Sequence, residues 1–319
     1  MTKFQALTVV TVIATVVMIA VGSTVRATGS GLGCPDWPLC YGGIFPPLEF
    51  AAIIEWVHRF IATVISVLVA LELVGAFMMR REDSALLELN LLSVALLIFQ
   101  AVLGGVTVLT GNAPWTVFAH LAAALTFLAV ITMIAALAFL GPRRTRIDTP
   151  ERAAFLRTAA KTMTIMAIVL AIGAYTVATN AGFGCTSWPG CPEGQIPFAS
   201  GERLQHIHWL HRFTVAAGFG VVAWLFLHIR EMRNVGPMLR RGGHSLIGLY
   251  GLQIIIGGLN PLSGFAQSAR VAHLAVAASI WVVMILMWFA GRYSPRAEAT
   301  DTPDSGTSRT SRRAHGARA

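Results

Sequence analysis

The stretch "FQALTVVTVIATVVMIAVGSTV", Phe4–Val25, runs for 22 residues without a charged side chain. It is either a leader to be removed or a helix that stays in the membrane. The apolar core of a leader is about 7–15 residues long. A helix that crosses a hydrocarbon layer about 30 Å thick needs about 20. The chain decides between them, because the end of this run recurs in mid-chain, where no leader can stand. Gly22–Cys40 and Gly173–Cys191 are identical at nine of nineteen positions. The first run is therefore read as a retained span.

Composition extends that reading to the whole chain. Of 319 residues, 55% are hydrophobic and 12% charged, where soluble domains carry about 25% charged residues. Eight apolar runs are long enough to cross a membrane: Phe4–Val25, Trp56–Met78, Ala85–Val108, Val117–Leu140, Ala159–Ala178, Ile207–Ile229, Ser245–Leu262 and Ala269–Ala290. The seventh contains Gly257, Gly258 and Pro261, which spans tolerate where neighbours satisfy the freed backbone groups. With the N-terminus in the cytoplasm, 19 Lys and Arg fall inside and five outside (Arg26, Arg59, Arg203, Arg212 and Arg270). That bias places both termini inside. It also accounts for the net charge of +9 through topology and contact with membrane lipid, with no nucleic-acid partner.

The repeat is not confined to one loop. At an offset of 153, "EWVHRF" (Glu55–Phe60) falls on "HWLHRF" (His208–Phe213). Gln100, Gly104 and Gly105 fall on Gln253, Gly257 and Gly258, and His120 falls on His273. The expected fold is an all-α integral membrane protein of eight transmembrane helices, arranged as two parallel-repeat four-helix bundles. Its parts are an N-terminal half (1–141), a cytoplasmic linker (142–158), a C-terminal half (159–293) and a disordered basic tail (294–319).

All four cysteines lie in the repeated loops "GLGCPDWPLC" (Gly31–Cys40) and "GFGCTSWPGC" (Gly182–Cys191). On the oxidising face, disulfides within each pair, Cys34–Cys40 and Cys185–Cys191, are the default, either structural or redox-active. A metal site is the lesser alternative, since zinc usually takes tighter spacings and would draw both pairs together. The Trp and Pro in each loop suggest a rigid turn lying at the membrane boundary.

Each half also carries two histidines near the outer surface on different helices: His58 and His120, then His211 and His273. Facing imidazoles in a bundle are the geometry for axial ligation of a haem iron. The plainer alternative is a histidine hydrogen-bonded in the bundle core, and a recurring pair favours ligation over it. Arg59 and Arg212 follow the first histidine of each half. They either pair with haem propionates or snorkel to water. Glu55 lies three residues before His58, on the same helix face, and its counterpart is His208. It is either a salt-bridge partner of Arg59 or Arg26, or an acid–base group beside one haem only.

These residues together ("EWVHR" and "HWLHR", His120 and His273, and the paired cysteine loops) resemble the haem A synthase family, CtaA, in its cysteine-pair-containing type, over roughly Thr2 to Arg292. The resemblance implies an oxidoreductase that converts haem O to haem A, a cofactor of cytochrome oxidase, by successive hydroxylation of the ring-D methyl to a formyl group. It implies that His211 and His273 hold a cofactor haem b, that His58 and His120 take the substrate haem, and that Glu55 is catalytic. It further implies placement in the cell membrane with the haem sites near the extracytoplasmic face. The implied partners are a haem O synthase and cytochrome oxidase assembly factors. The rival from the residues alone is a di-haem b-type electron carrier, which explains the four histidines but gives Glu55 no task.

Overall fold

A computed structural model of the chain describes residues 1–191, 202–233 and 235–294. Every apolar run becomes a helix: α1 (Lys3–Ala27), α2 (Phe50–Met78), α3 (Ser84–Leu109), α4 (Pro114–Leu140), α5 (Pro150–Ala178), α6 (Arg203–Glu231), α7 (Pro237–Leu262) and α8 (Gln267–Arg292). They hold 25–29 residues each, about 40 Å at 1.5 Å per residue. Each therefore crosses a hydrocarbon layer of about 30 Å and leaves its ends in the headgroup zone. This is an all-α, multi-pass membrane protein.

The helices overrun the apolar runs because apolarity marks only the part in lipid, whereas capping sets where a helix starts. Thr2 and Gln5 close a capping box on α1. The Asp83 side chain accepts from the Leu86 N–H at the start of α3. Thr149 accepts from the Arg152 N–H, and Pro150 fills the first turn of α5. Half of the expected 142–158 linker is thus helical. α7 starts at Pro237 rather than Ser245 and runs unbroken past Gly257 and Gly258, with Pro261 in its last turn. Thr145–Arg146 pairs antiparallel with Tyr293–Ser294 as two-residue strands. The expected tail lies, from 295 onward, outside the described residues, as do 192–201 and 234.

Helices α1 to α4 pack in a ring, each on the next and α4 back on α1; α5 to α8 do the same. Between the rings, α1 and α4 pack on α8 and α4 packs on α5, so α4 is the most enclosed helix. Its Leu128, Ile131 and Ile134 are fully buried, as are Phe155, Leu246, Tyr250 and Ile280 in the second ring. Polar groups cross the seam. The Trp281 indole N–H donates to the Leu125 carbonyl (3.2 Å), and Arg26 donates to Asn180 Oδ1 (3.0 Å).

At the end opposite the cysteine loops, Arg144 makes a forked pair with the Asp83 carboxylate, Nη1 to Oδ2 and Nη2 to Oδ1. Hydrogen bonding to that carboxylate raises the Arg144 guanidinium above its ordinary value. The fork ties the α2–α3 turn to the segment leading into α5. Asp83→Asn keeps the cap oxygen but loses the fork. It is expected to cost about 1.5–3 kcal/mol, the range for hydrogen bonds to charged groups. That loss should appear as a lower thermal midpoint in detergent; an unchanged midpoint would show that the pair carries no stability.

Candidate functional site

Polar rings inside a bundle in lipid need both space and partners. Space comes from glycine on the preceding helix. A Cβ added at Gly22 of α1 would stand 3.1 Å from Cε1 of His58 on α2, and one at Gly104 of α3 would stand 3.2 Å from that of His120 on α4. The second ring repeats this, with Gly173 at 3.3 Å from His211 and Gly257 at 3.1 Å from His273. Four helix-to-helix contacts are thus each set by one imidazole edge against one glycine.

The partners are incomplete. Nδ1 of all four histidines is buried and unpaired. Gln100 Nε2 lies 3.3 Å from His120 Nε2 and donates to the His120 carbonyl (3.0 Å). Gln253 Nε2 lies 3.2 Å from His273 Nε2. A histidine settled in a core has its nitrogens satisfied; these do not. The rings of His211 and His273 stand 6.4 Å apart between centroids with planes at 81°. Two metal–nitrogen bonds of about 2 Å, together with the distance from each nitrogen to its ring centre, span a gap of this size. His58 and His120 lie within electrostatic reach of each other in the first ring. Among the described residues, no three His, Cys, Asp or Glu side chains gather to hold a metal by themselves. Each pair could supply two imidazole nitrogens, the number that would suit an iron already bound by a tetrapyrrole.

The cysteine loops sit directly over these pairs. Cys34–Cys40 and Cys185–Cys191 are disulfides, each with Cα atoms 4.7 Å apart. The Trp37 ring packs on Gly105, next to the glycine that takes His120, and the Trp188 ring packs on Gly258, next to the one that takes His273. Arg59 and Arg212 have partners that the sequence reading did not include. Arg59 donates to the carbonyls of Cys34 (3.2 Å), Asp36 (2.9 Å) and Leu39 (2.6 Å). Arg212 donates to those of Ser187 (2.9 Å), Pro189 (2.9 Å) and Gly190 (2.8 Å). Each arginine follows a histidine in sequence, so each loop is tied to the helix turn that carries that histidine.

One turn before the first histidine of each ring, the two differ at a buried position. Glu55, 5% exposed, accepts from Arg59 Nε through Oε1 at 3.1 Å, which is the ion pair expected as its plainer reading. Its counterpart His208 is likewise buried, at 8% exposure, but is an imidazole with an unpaired Nδ1.

The model of the COX15-CtaA family, described as cytochrome oxidase assembly protein, matches residues 5–53 and 48–285. The chain belongs to the COX15-CtaA family. It is similar to the protein named heme A synthase of Bacillus pumilus, with 30% identity over 285 residues, covering 84% of this chain and 89% of that one. The heme A synthase of Bacillus licheniformis is 30% identical over 232 residues, covering 69% and 72%. That of Shewanella oneidensis is 27% identical over 323 residues, covering 86% and 93%.

In this COX15-CtaA protein Arg59 and Arg212 were read from sequence as propionate partners or snorkelling cations rather than as clamps on the loops, and the glycine seats and the two glutamines were not assigned to the site. The available signal was their position: Gln100 and Gly104 share a face of α3 at helical spacing and recur in the second half. Asp36 was also passed over. It accepts from the N–H groups of Gly42 and Tyr41 (2.7 Å each), and these bonds, that to Gly42 foremost, hold its carboxyl below its ordinary value of 3.8. A depressed carboxyl stabilises the fold above its unfolded value and stops doing so as pH falls through the folded one. The first cysteine loop should therefore keep its shape down to about pH 4 and loosen below. Hydrogen exchange of the Tyr41 and Gly42 amides reads this directly. Asp36→Ala should speed exchange already at pH 7, and equal exchange in both proteins would exclude the anchor.

Proposed function

We propose that this chain is a haem A synthase that oxidises the ring-D methyl of haem O to a formyl group by successive hydroxylation. The observation that carries the reading is the inequality of the two rings: similar histidine seats, but a buried carboxylate beside only one of them. Two sites that bind alike and differ at one acid–base group fit a division between chemistry and electron transfer. We assign the substrate haem to the first ring (residues 1–141), between His58 and His120. We assign haem b to the second (residues 159–293), between His211 and His273. The fit rests on unpaired nitrogens, glycine-made clearance and the 6.4 Å separation of His211 and His273. Haem b held there would supply a one-electron centre to take up the electrons that the oxidation releases.

The protein's own groups do the rest. His58 and His120 orient the substrate macrocycle. Glu55 stands one helical turn before His58 on the same face, with Oε1 occupied by Arg59. Its other oxygen takes the proton released as the methyl carbon is oxidised. Arg59 keeps that carboxylate in place and, with Arg212, closes the cysteine loops over the two sites. The N–H groups left over from the loop carbonyls are available to haem propionates. The loops and both sites belong at the extracytoplasmic face. Haem O, a farnesylated lipid-soluble substrate, arrives from a haem O synthase in the same membrane, and the product passes to cytochrome oxidase assembly.

Glu55→Ala purified from cells that make haem O should keep its haem content yet hold haem O where the unaltered protein holds haem A, as read by chromatography of extracted haem. Haem A at the normal level in that variant would remove Glu55 from the chemistry. The glycine seats give a second check. Gly257→Val should lose haem b and keep substrate haem, and Gly22→Val should do the reverse, both scored as haem per protein. Full occupancy in both variants would contradict the assignment of haem to these histidines.

A further inference from the structure

One buried acid has no part in the site above. Glu72 lies on α2 fourteen residues beyond His58, about 20 Å along the helix at 1.5 Å per residue. It is 0% exposed, and neither carboxyl oxygen has a partner. No ion pair among the described residues includes it. The Thr11 hydroxyl of α1 lies within hydrogen-bonding reach of it, but that single proton is shared with the Leu7 carbonyl (3.0 Å). On the adjoining helix α3, Asn90 is also 0% exposed. Its Nδ2 donates to the Leu86 carbonyl (2.8 Å), and its Oδ1 is buried without a donor. Glu72 is six residues from the end of α2 and Asn90 six residues from the start of α3, so the two lie at one level, about 9 Å from that end.

These facts define the species present. A carboxylate enclosed in hydrocarbon without cation or donor is a costly state. A neutral carboxylic acid has one O–H to donate, and Asn90 Oδ1 is an acceptor lacking a donor. The groups that α1 and α3 bury in this bundle near it are uncharged: Thr8, Thr11 and Thr15 from α1, Asn90 and Ser93 from α3. At the nearby end, Asp83 and Arg144 are bound to each other, and Lys3, Arg80 and Arg81 are exposed.

The polar groups also lead somewhere. On α3, Asn90, Ser93 and Gln100 follow one face at helical spacing, and Gln100 reaches His120. On α1, buried Thr8, Thr11 and Thr15 climb toward Gly22, the seat of His58. At the offset of 153, the second ring has Leu225, Gly243 and Leu246 where the first has Glu72, Asn90 and Ser93. The polar stripe belongs to the ring that also holds Glu55.

We propose that Glu72 is a membrane-buried proton site, held as the neutral acid against Asn90. Through it the first ring exchanges protons with the end of the bundle opposite the cysteine loops. The proton site stands on its own; its service to methyl oxidation rests on the function proposed above.

Infrared spectroscopy of the purified full chain in lipid discs tests it. At pH 7 the unaltered protein should show a carbonyl band of a protonated carboxylic acid that shifts in heavy water. Glu72→Gln should abolish it, and Glu88→Gln, which alters an exposed acid, should leave it. Should Glu72→Gln not fold, Asn90→Leu keeps the test open, because loss of the acceptor must shift the band. A spectrum without a band attributable to Glu72, or a band unmoved in Asn90→Leu, overturns the proposal. The two readings fail separately: a protein that shows the band but makes no haem A loses the proposed reaction and keeps the proton site. One that makes haem A with Glu72 ionised does the opposite.

Discussion

A glycine facing each histidine is the constraint on which the rest of this molecule depends. An imidazole on a transmembrane helix is wider than the groove between tightly packed helices, and lipid offers it no hydrogen bond. Removing the Cβ from the neighbouring helix lets the ring lie flat on backbone and keeps the helices close. Gly22, Gly104, Gly173 and Gly257 do this for His58, His120, His211 and His273. The helix neighbours in each ring are those that present the glycines to the histidines. The cysteine loops obey the same rule, since Trp37 and Trp188 lie on Gly105 and Gly258.

Within this shared frame the two rings diverge at buried polar positions. Glu55 against His208 separates them near the histidines, and Glu72 with Asn90 against Leu225 with Gly243 separates them in the depth of the bundle. The first exchange sets a carboxylate against an imidazole, and the second sets polar groups against apolar ones and a glycine. On the proposed division of labour, the ring that oxidises a carbon must also dispose of protons. The arginine clamps are common to both, so closing the site from above is a requirement they share.

Much of this was legible in the sequence, for physical reasons that differ by element. The eight spans follow from apolar length, and that pattern survives any packing arrangement. The histidines and cysteine pairs stood out because they recur at a fixed offset. Helix starts were less legible: α5 and α7 begin at Pro150 and Pro237, in polar sequence where a first-turn proline rather than apolarity marks the start. Arg59 and Arg212 were visible as cations near the outer boundary, but their partners are backbone carbonyls, and carbonyls leave no mark in sequence. Glu72 is a carboxylate inside an apolar run that the sequence reading passed over; that it has no cationic partner is a property of three-dimensional packing alone.

The most direct measurement is the identity of the haems carried by the unaltered protein purified from cells that make haem O, extracted and separated by reversed-phase chromatography with mass detection. The account predicts haem b together with haem A or its hydroxymethyl precursor. Haem b alone would contradict it, leaving a two-haem electron carrier in which Glu55 is a salt bridge to Arg59 and nothing more.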